Sequence, residues 1–312
     1  MVDRHPGNDE AAVEEPAAQE TRAPTPFDTG EASLFRRLSA EFVGTLVFVG
    51  IGTGTATVLA VGPLTRLGDL SQFLGGAPGE EAVFGNLLGN SLADLMPVAF
   101  AFATALAVLV YAFGGVSGAH FNPAVTFALA VARRFKWVEV VPYWVAQVLG
   151  GIAGAFVVAG IYQETGAFIG ETDILFGATV VQENIDTYNA ILAEAFIGFI
   201  LMTAIMAVAI DPRAPKGWSG LIIGLGLGAG ILVTGFATGG SANFARSLGP
   251  LVASLPYDVG NIPWGDLVVY AAGPLLGATA AALIYETVTG LEGVAPAPQP
   301  GAATPPPGAM GP

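Results

Sequence analysis

In a chain of 312 residues that is 53% hydrophobic and only 12% charged, a few polar side chains stand where a reason is needed. Arg246 lies inside an apolar stretch, three residues after Asn243 and so one helical turn further on the same face. A guanidinium in such surroundings is costly and is rarely kept without a function. Asn122 and Asn243 each open a short apolar run, in Ser117-Gly118-Ala119-His120-Phe121-Asn122-Pro123-Ala124 and in Gly240-Ser241-Ala242-Asn243-Phe244-Ala245-Arg246. Glu41 and Glu194 begin two longer runs in matching phrases, Ala40-Glu41-Phe42-Val43-Gly44 and Ala193-Glu194-Ala195-Phe196-Ile197-Gly198. Amides, a fixed cation and buried carboxylates can orient and screen a passing solute without breaking a bond. With no cysteine and only two histidines, His5 and His120, the chain holds neither a disulfide framework, a thiolate nucleophile nor a His-rich metal cluster. No enzyme chemistry and no cofactor are implied.

The elements that must position these residues follow from hydropathy. Crossing a hydrocarbon core takes about 20 apolar residues in a helix. Spans are predicted at 38–60, 95–115, 138–161, 189–210, 218–236 and 264–287. Small residues, among them Gly44, Gly151, Gly154, Gly198, Gly226 and Gly273, suit close helix approach. The apolar pieces at 122–132 and 243–252 are too short to cross, so each is predicted to be a half-helix behind a non-helical entry. Two such pieces in corresponding places point to a central site.

Outside the spans the chain is acidic, with a formal net charge of -14 and eight of its acids in residues 1–31. That balance disfavours a nucleic-acid partner. Two lysines, Lys136 and Lys216, among so many acids suggest life in high salt. Residues 1–34 read as an acidic disordered tail without the features of a secretory signal, and 291–312 as a Pro-rich disordered tail. Nine of the 11 basic residues fall on one side of the spans, which predicts cytoplasmic termini in a multi-pass protein of the cell membrane. Three spans per half is an odd number, so the halves, about 35–161 and 189–290, form an inverted repeat within one transmembrane domain, 35–290. The half-helices then meet near the midplane from opposite faces. An apolar island at Val83-Phe84-Gly85-Asn86-Leu87-Leu88 is expected to pack on the outer mouth.

The two short segments, with Glu41, Glu194 and Gly273-Pro274, resemble the signatures of the major intrinsic protein family of aquaporins and glycerol facilitators. With the acidic composition, an archaeal-type member from a halophile is the expectation. The resemblance implies an all-α, aquaporin-like membrane fold: six transmembrane helices plus two re-entrant half-helices in an inverted repeat, one pore per subunit and a homotetramer in the lipid bilayer. It implies that Asn122 and Asn243 donate to a permeating oxygen at the midplane, beside Phe244, with Pro123 among the residues that support the pore loops. Phe244 is the departure, since the family normally has proline there, and its ring is expected to pack into the protein. By motif offset the outer selectivity filter is Phe102, Ile231, Gly240 and Arg246. Ile231 replaces the histidine usual in strict water channels, whereas Ser247 resembles that subgroup; Tyr270 and Ala271 match neither subgroup cleanly. Glu41 and Glu194 are expected to hold the entering loops through backbone N–H groups, with His120 lining the approach or bonding within its loop. The function expected is passive water conduction that excludes protons and ions, with small neutral solutes as further cargo. A glycerol facilitator of the same fold is the alternative, and a non-conducting adhesive or structural membrane protein the alternative of another class.

Overall fold

The computed structural model describes residues 32–74, 92–169, 172–215 and 217–291, the side chains of 63–74 and 92–94 excepted. The apolar island at 83–88 and nearly all of both tails lie outside these residues. The helices are α1 (Leu34–Leu74), α2 (Leu92–Ser117), α3 (Pro123–Val131), α4 (Trp137–Tyr162), α5 (Thr187–Ile205), α6 (Ser219–Thr238), α7 (Phe244–Ser254) and α8 (Leu267–Thr289). Six segments are long and apolar enough to cross a membrane: Leu34–Gly62, Leu95–Ser117, Trp137–Tyr162, Thr187–Ile210, Ser219–Thr238 and Trp264–Thr289. They match the six hydropathy spans to within a few residues. α5 reaches its full length through a π-helical turn at Met206–Ile210. One boundary differs from expectation. α1 runs past its apolar span to Leu74, where Leu64, Leu67, Leu70 and Leu74 keep a helical spacing that the polar residues between them obscure.

α3 and α7, nine and eleven residues long, are the two half-helices. At 1.5 Å per residue neither crosses about 30 Å of hydrocarbon. Each docks on the opposite repeat, α3 against α8 and α7 against α4, while α1 packs on α4, α5 on α8 and α2 on α6. The half-helices thereby lock the two repeats together. Between α4 and α5 the chain forms a short antiparallel hairpin, β1 (Phe168–Ile169) with β2 (Thr172–Asp173), then a tight turn at Leu175–Gly177. Phe176 is fully buried there and packs edge-on against Tyr257, ring centroids 5.0 Å apart.

Glycine sets how closely the long helices approach. On α8, a Cβ at Gly273 would lie 2.5 Å from Glu194 Cβ and 2.9 Å from Ile191 O, and one at Gly277 would fall on Ala195 O. Gly277→Ala is therefore expected to destabilise the bundle by about 1–3 kcal/mol, the usual cost of overpacking. Thermal unfolding in detergent checks this against Gly160→Ala, since nothing lies within 4 Å of a Cβ at Gly160. A midpoint for Gly277→Ala no lower than for Gly160→Ala would contradict it.

The three ion pairs of the described residues lie on the side of the basic loops. Arg37 meets Glu139 at 2.7 Å, Arg134 meets Glu286 at 2.8 Å and Arg213 meets Asp211 at 2.6 Å. Hydrogen bonds from Arg213 hold the Asp211 carboxyl well below the usual carboxylate range. Arg134 and Arg213 also donate to Leu291 O and Thr289 O, which ties both loops to the end of α8.

Candidate functional site

The entries to the two half-helices are built from backbone conformations that most residues avoid. Gly118, Ala119 and Phe121 before α3 have φ of 89°, 52° and 49°, and Gly239, Gly240 and Ala242 before α7 have 79°, 62° and 54°. For Ala119, Phe121 and Ala242 this left-handed region costs about 1–3 kcal/mol each and persists only where the surroundings hold it. Two buried carboxylates do the holding. Glu41 Oε1 accepts from Ser117 Oγ at 2.6 Å and His120 N at 3.0 Å, and Oε2 from Phe121 N at 2.7 Å and Gln147 Nε2 at 2.8 Å. Glu194 Oε1 accepts from Thr238 Oγ1 at 2.6 Å and Ser241 N at 2.9 Å, and Oε2 from Ala242 N at 2.8 Å. Neither carboxylate is exposed. At this depth, unpaired backbone N–H groups would each cost energy, so the carboxylates satisfy donors that the turn frees from any ladder. Where each preceding helix ends, Tyr143 donates to Ser117 O at 2.9 Å and Tyr270 to Thr238 O at 2.7 Å. The inverted repeat extends to individual hydrogen bonds.

Asn122 and Asn243 are the N-caps of α3 and α7. Their Oδ1 atoms accept from Ala124 N at 2.9 Å and Ala245 N at 3.0 Å. Their Nδ2 atoms cross over: Asn122 donates to Ala242 O and Asn243 to Phe121 O, each at 2.8 Å. Each asparagine thus bonds the residue just before the other. An amide nitrogen has two hydrogens, and the cross-bond uses one.

Arg246 follows one turn into α7 and is 3% exposed. Its Nη1 donates to Gly177 O at 3.0 Å, and its guanidinium carbon sits 4.9 Å from the centre of the Phe102 ring. Its Nε is buried with no partner. Phe102 is itself held edge-on by Phe48, centroids 5.1 Å apart. Gly240 lies against Ile231, whose Cα would be 3.1 Å from a Cβ at 240. The structure thus brings the four filter candidates together as two pairs, Arg246 with Phe102 and Gly240 with Ile231. Behind Arg246, Thr179, Ser247 and Ser241 form a chain of hydroxyls with 2.7 Å and 2.6 Å links.

His120 is buried, with Nδ1 3.1 Å from Thr126 Oγ1 and its ring against Phe135 and Tyr143. Among the described residues no group of three or more His, Cys, Asp or Glu side chains could hold a metal ion. Pro123 is the first residue of α3, where its missing N–H costs nothing. Phe244 holds the same position in α7 and, half-buried, walls an apolar cavity with Pro123, Trp144, Ala271 and Leu275. Sequence reasoning passed over Gly177, because a backbone carbonyl leaves no mark in residue type. Gln147 carries a signal, a lone amide inside an apolar span.

A six-span bundle closed by two capped half-helices, with a buried arginine one turn beyond the second cap, is the architecture of a passive channel. Residues 29–285 match the model of the major intrinsic protein family, and the chain belongs to that family, whose members conduct water or small neutral solutes and are not enzymes. It is 39% identical to the aquaporin AqpM of Methanothermobacter thermautotrophicus over 260 residues, covering 82% of this chain and 98% of that protein. It is likewise 39% identical to a probable aquaporin AqpM of Archaeoglobus fulgidus over 255 residues, covering 81% and 96%. The X-ray structure of the aquaglyceroporin from Plasmodium falciparum superposes with a TM-score of 0.65 at 22% identity, covering 82% of this chain and 97% of that one; it supports the fold.

Proposed function

We propose that this chain is a water channel that also admits small neutral solutes. The observation that carries the reading is the crossed asparagine pair. Each amide is locked to the opposite loop at 2.8 Å, which leaves its second hydrogen for a water oxygen in the lumen. A water accepting from both amides is turned so that it does not relay a proton along the file. The aligned N-termini of α3 and α7 add partial positive charge that disfavours cations and hydronium. In the outer filter, Arg246 repels cations and offers donors, Phe102 forms the aromatic wall, and Ile231 with Gly240 leaves an apolar gap. Phe244 keeps its ring in the side wall rather than the lumen. Channel domain 35–290, cytoplasmic termini, a cell-membrane location and a homotetramer complete the proposal; the acidic, lysine-poor composition supports a high-salt habitat.

The same Ile231 and Gly240 gap favours a second reading, glycerol as the main cargo. Stopped-flow light scattering of proteoliposomes separates the two. Fast shrinkage with slow glycerol re-swelling supports the first reading, and comparable rates the second. Ile231→His should restore a polar wall and raise the ratio of water to glycerol permeability by about tenfold, the scale of a single well-placed contact. A ratio that does not rise would mean that Ile231 does not line the constriction. A folded protein no more permeable than empty vesicles would sink both readings.

A further inference from the structure

The cavity beside Phe244 has a composition that selects its occupant. It measures about 220 Å³ and is walled by Pro123, Trp144, Val148, Phe244, Ala271 and Leu275, with Ala124 and Tyr270 behind them. Both polar atoms in this wall are already used: the Trp144 indole N–H donates to Pro123 O at 2.9 Å and the Tyr270 hydroxyl to Thr238 O at 2.7 Å. Nothing is left to bind water, and an apolar cavity without polar partners stays dry. A void of about 150 Å³ already takes benzene, so this one has room for several methylene groups.

Its depth is set by the helices. Trp144 and Ala271 are the eighth residues, and Val148 and Leu275 the twelfth, of two antiparallel spans of 26 residues. At 1.5 Å per residue all four lie within about 8 Å of the span centres. The pseudo-symmetric positions are unequal: an indole fills one side, whereas Ala271 leaves the other hollow. Around the opening, Val145 and Leu149 on α4 and Val268 and Leu276 on α8 are all more than half exposed. On this chain the mouth therefore opens on the outward, apolar face of the bundle, near mid-depth of the two spans.

We infer that this cavity is a binding site for the terminal segment of a bilayer lipid chain, seated against Phe244 and Pro123 behind the paired half-helices. The occupant completes the packing that Ala271 leaves open.

Trp144 is a built-in reporter, since Trp137, Trp218 and Trp264 all stand at span ends and are exposed. The test uses the full chain with those three changed to Phe, reconstituted in phosphatidylcholine vesicles brominated at shallow, middle or near-terminal chain positions. Trp144 fluorescence should be quenched most by near-terminal bromines. Ala271→Leu, which fills the hollow, should lower that quenching at least about twofold, and Leu275→Ala, which widens it, should raise it, because quenching follows contact. Osmotic permeability checks that each variant is folded; if Ala271→Leu does not fold, Leu275→Ala decides. Quenching that both substitutions leave unchanged would show that Trp144 meets only bulk lipid and would overturn the site. So would quenching strongest from shallow bromines. Weak quenching in every lipid would mean that another protein copy seals the mouth, and would also overturn it.

Discussion

Changing Arg246 to valine is expected to raise cation leakage through reconstituted vesicles by about two orders of magnitude, with water permeability within about threefold of the parent. The side chain is buried, its position fixed by Gly177 O and the Phe102 face. At an effective dielectric constant of about 20, a cation passing 4 Å from that charge meets about 4 kcal/mol of repulsion, nearly three decades in rate. The N-termini of α3 and α7 remain and keep part of the barrier, which brings the expected change down to about two decades. Potassium flux measured with an ion-selective electrode, beside stopped-flow water measurements on the same vesicles, gives the comparison. Arg246→Lys keeps the charge and loses the planar fork, so it should stay cation-tight. Valine vesicles as tight as the parent would assign cation exclusion to the half-helices alone.

The second large effect concerns the carboxylates beneath the half-helices. Glu194→Ala should leave little folded protein. It strips the acceptor from Ser241 N, Ala242 N and the Thr238 hydroxyl. Unpaired buried donors cost about 1–3 kcal/mol each, so two stranded N–H groups, with the Thr238 hydroxyl left only its 3.4 Å bond to Thr234 O, reach into the 5–15 kcal/mol by which a typical protein is stable. Glu41→Ala should be milder, although Glu41 has four donors. Gln147, which bonds Glu41 through Nε2, carries a buried Oε1 without a partner, and a rotated amide offers that oxygen to the stranded N–H groups. The recovery of monodisperse protein after detergent extraction, followed by osmotic permeability, compares the two. Equal losses would show that the Gln147 oxygen does not compensate for Glu41, and a Glu194→Ala protein that folds and conducts like the parent would show that the carboxylate does not clamp the entry.

The six spans and two half-helices are legible in the chain because the length of an apolar run, set against the thickness of hydrocarbon, is a local property. The span expected at 138–161 is Trp137–Tyr162, and the short run expected at 243–252 begins its helix at Phe244. The extension of α1 to Leu74 was not legible, since polar residues there hide a helical spacing from a hydropathy reading. The candidate site divides in the same way. Asn122, Asn243, Glu41, Glu194 and Arg246 stand out because polar groups in apolar sequence are rare and each requires a partner.

Who those partners are was decided by the tertiary structure alone. Gly177 lies 69 positions from Arg246, and Asn122 is 120 positions from the Ala242 carbonyl it bonds. Nothing in residue type marks either carbonyl, since every residue carries one. Only when α3 docks on α8 and α7 on α4 do these atoms come within hydrogen-bonding distance. The seating of Phe244 against an apolar cavity, beside the small Ala271, is likewise a product of packing. The sequence by itself determined which residues must find a partner in a membrane; the packing of remote helices determined which partner, because a hydrogen bond depends on tenths of an ångström that no spacing along the chain encodes.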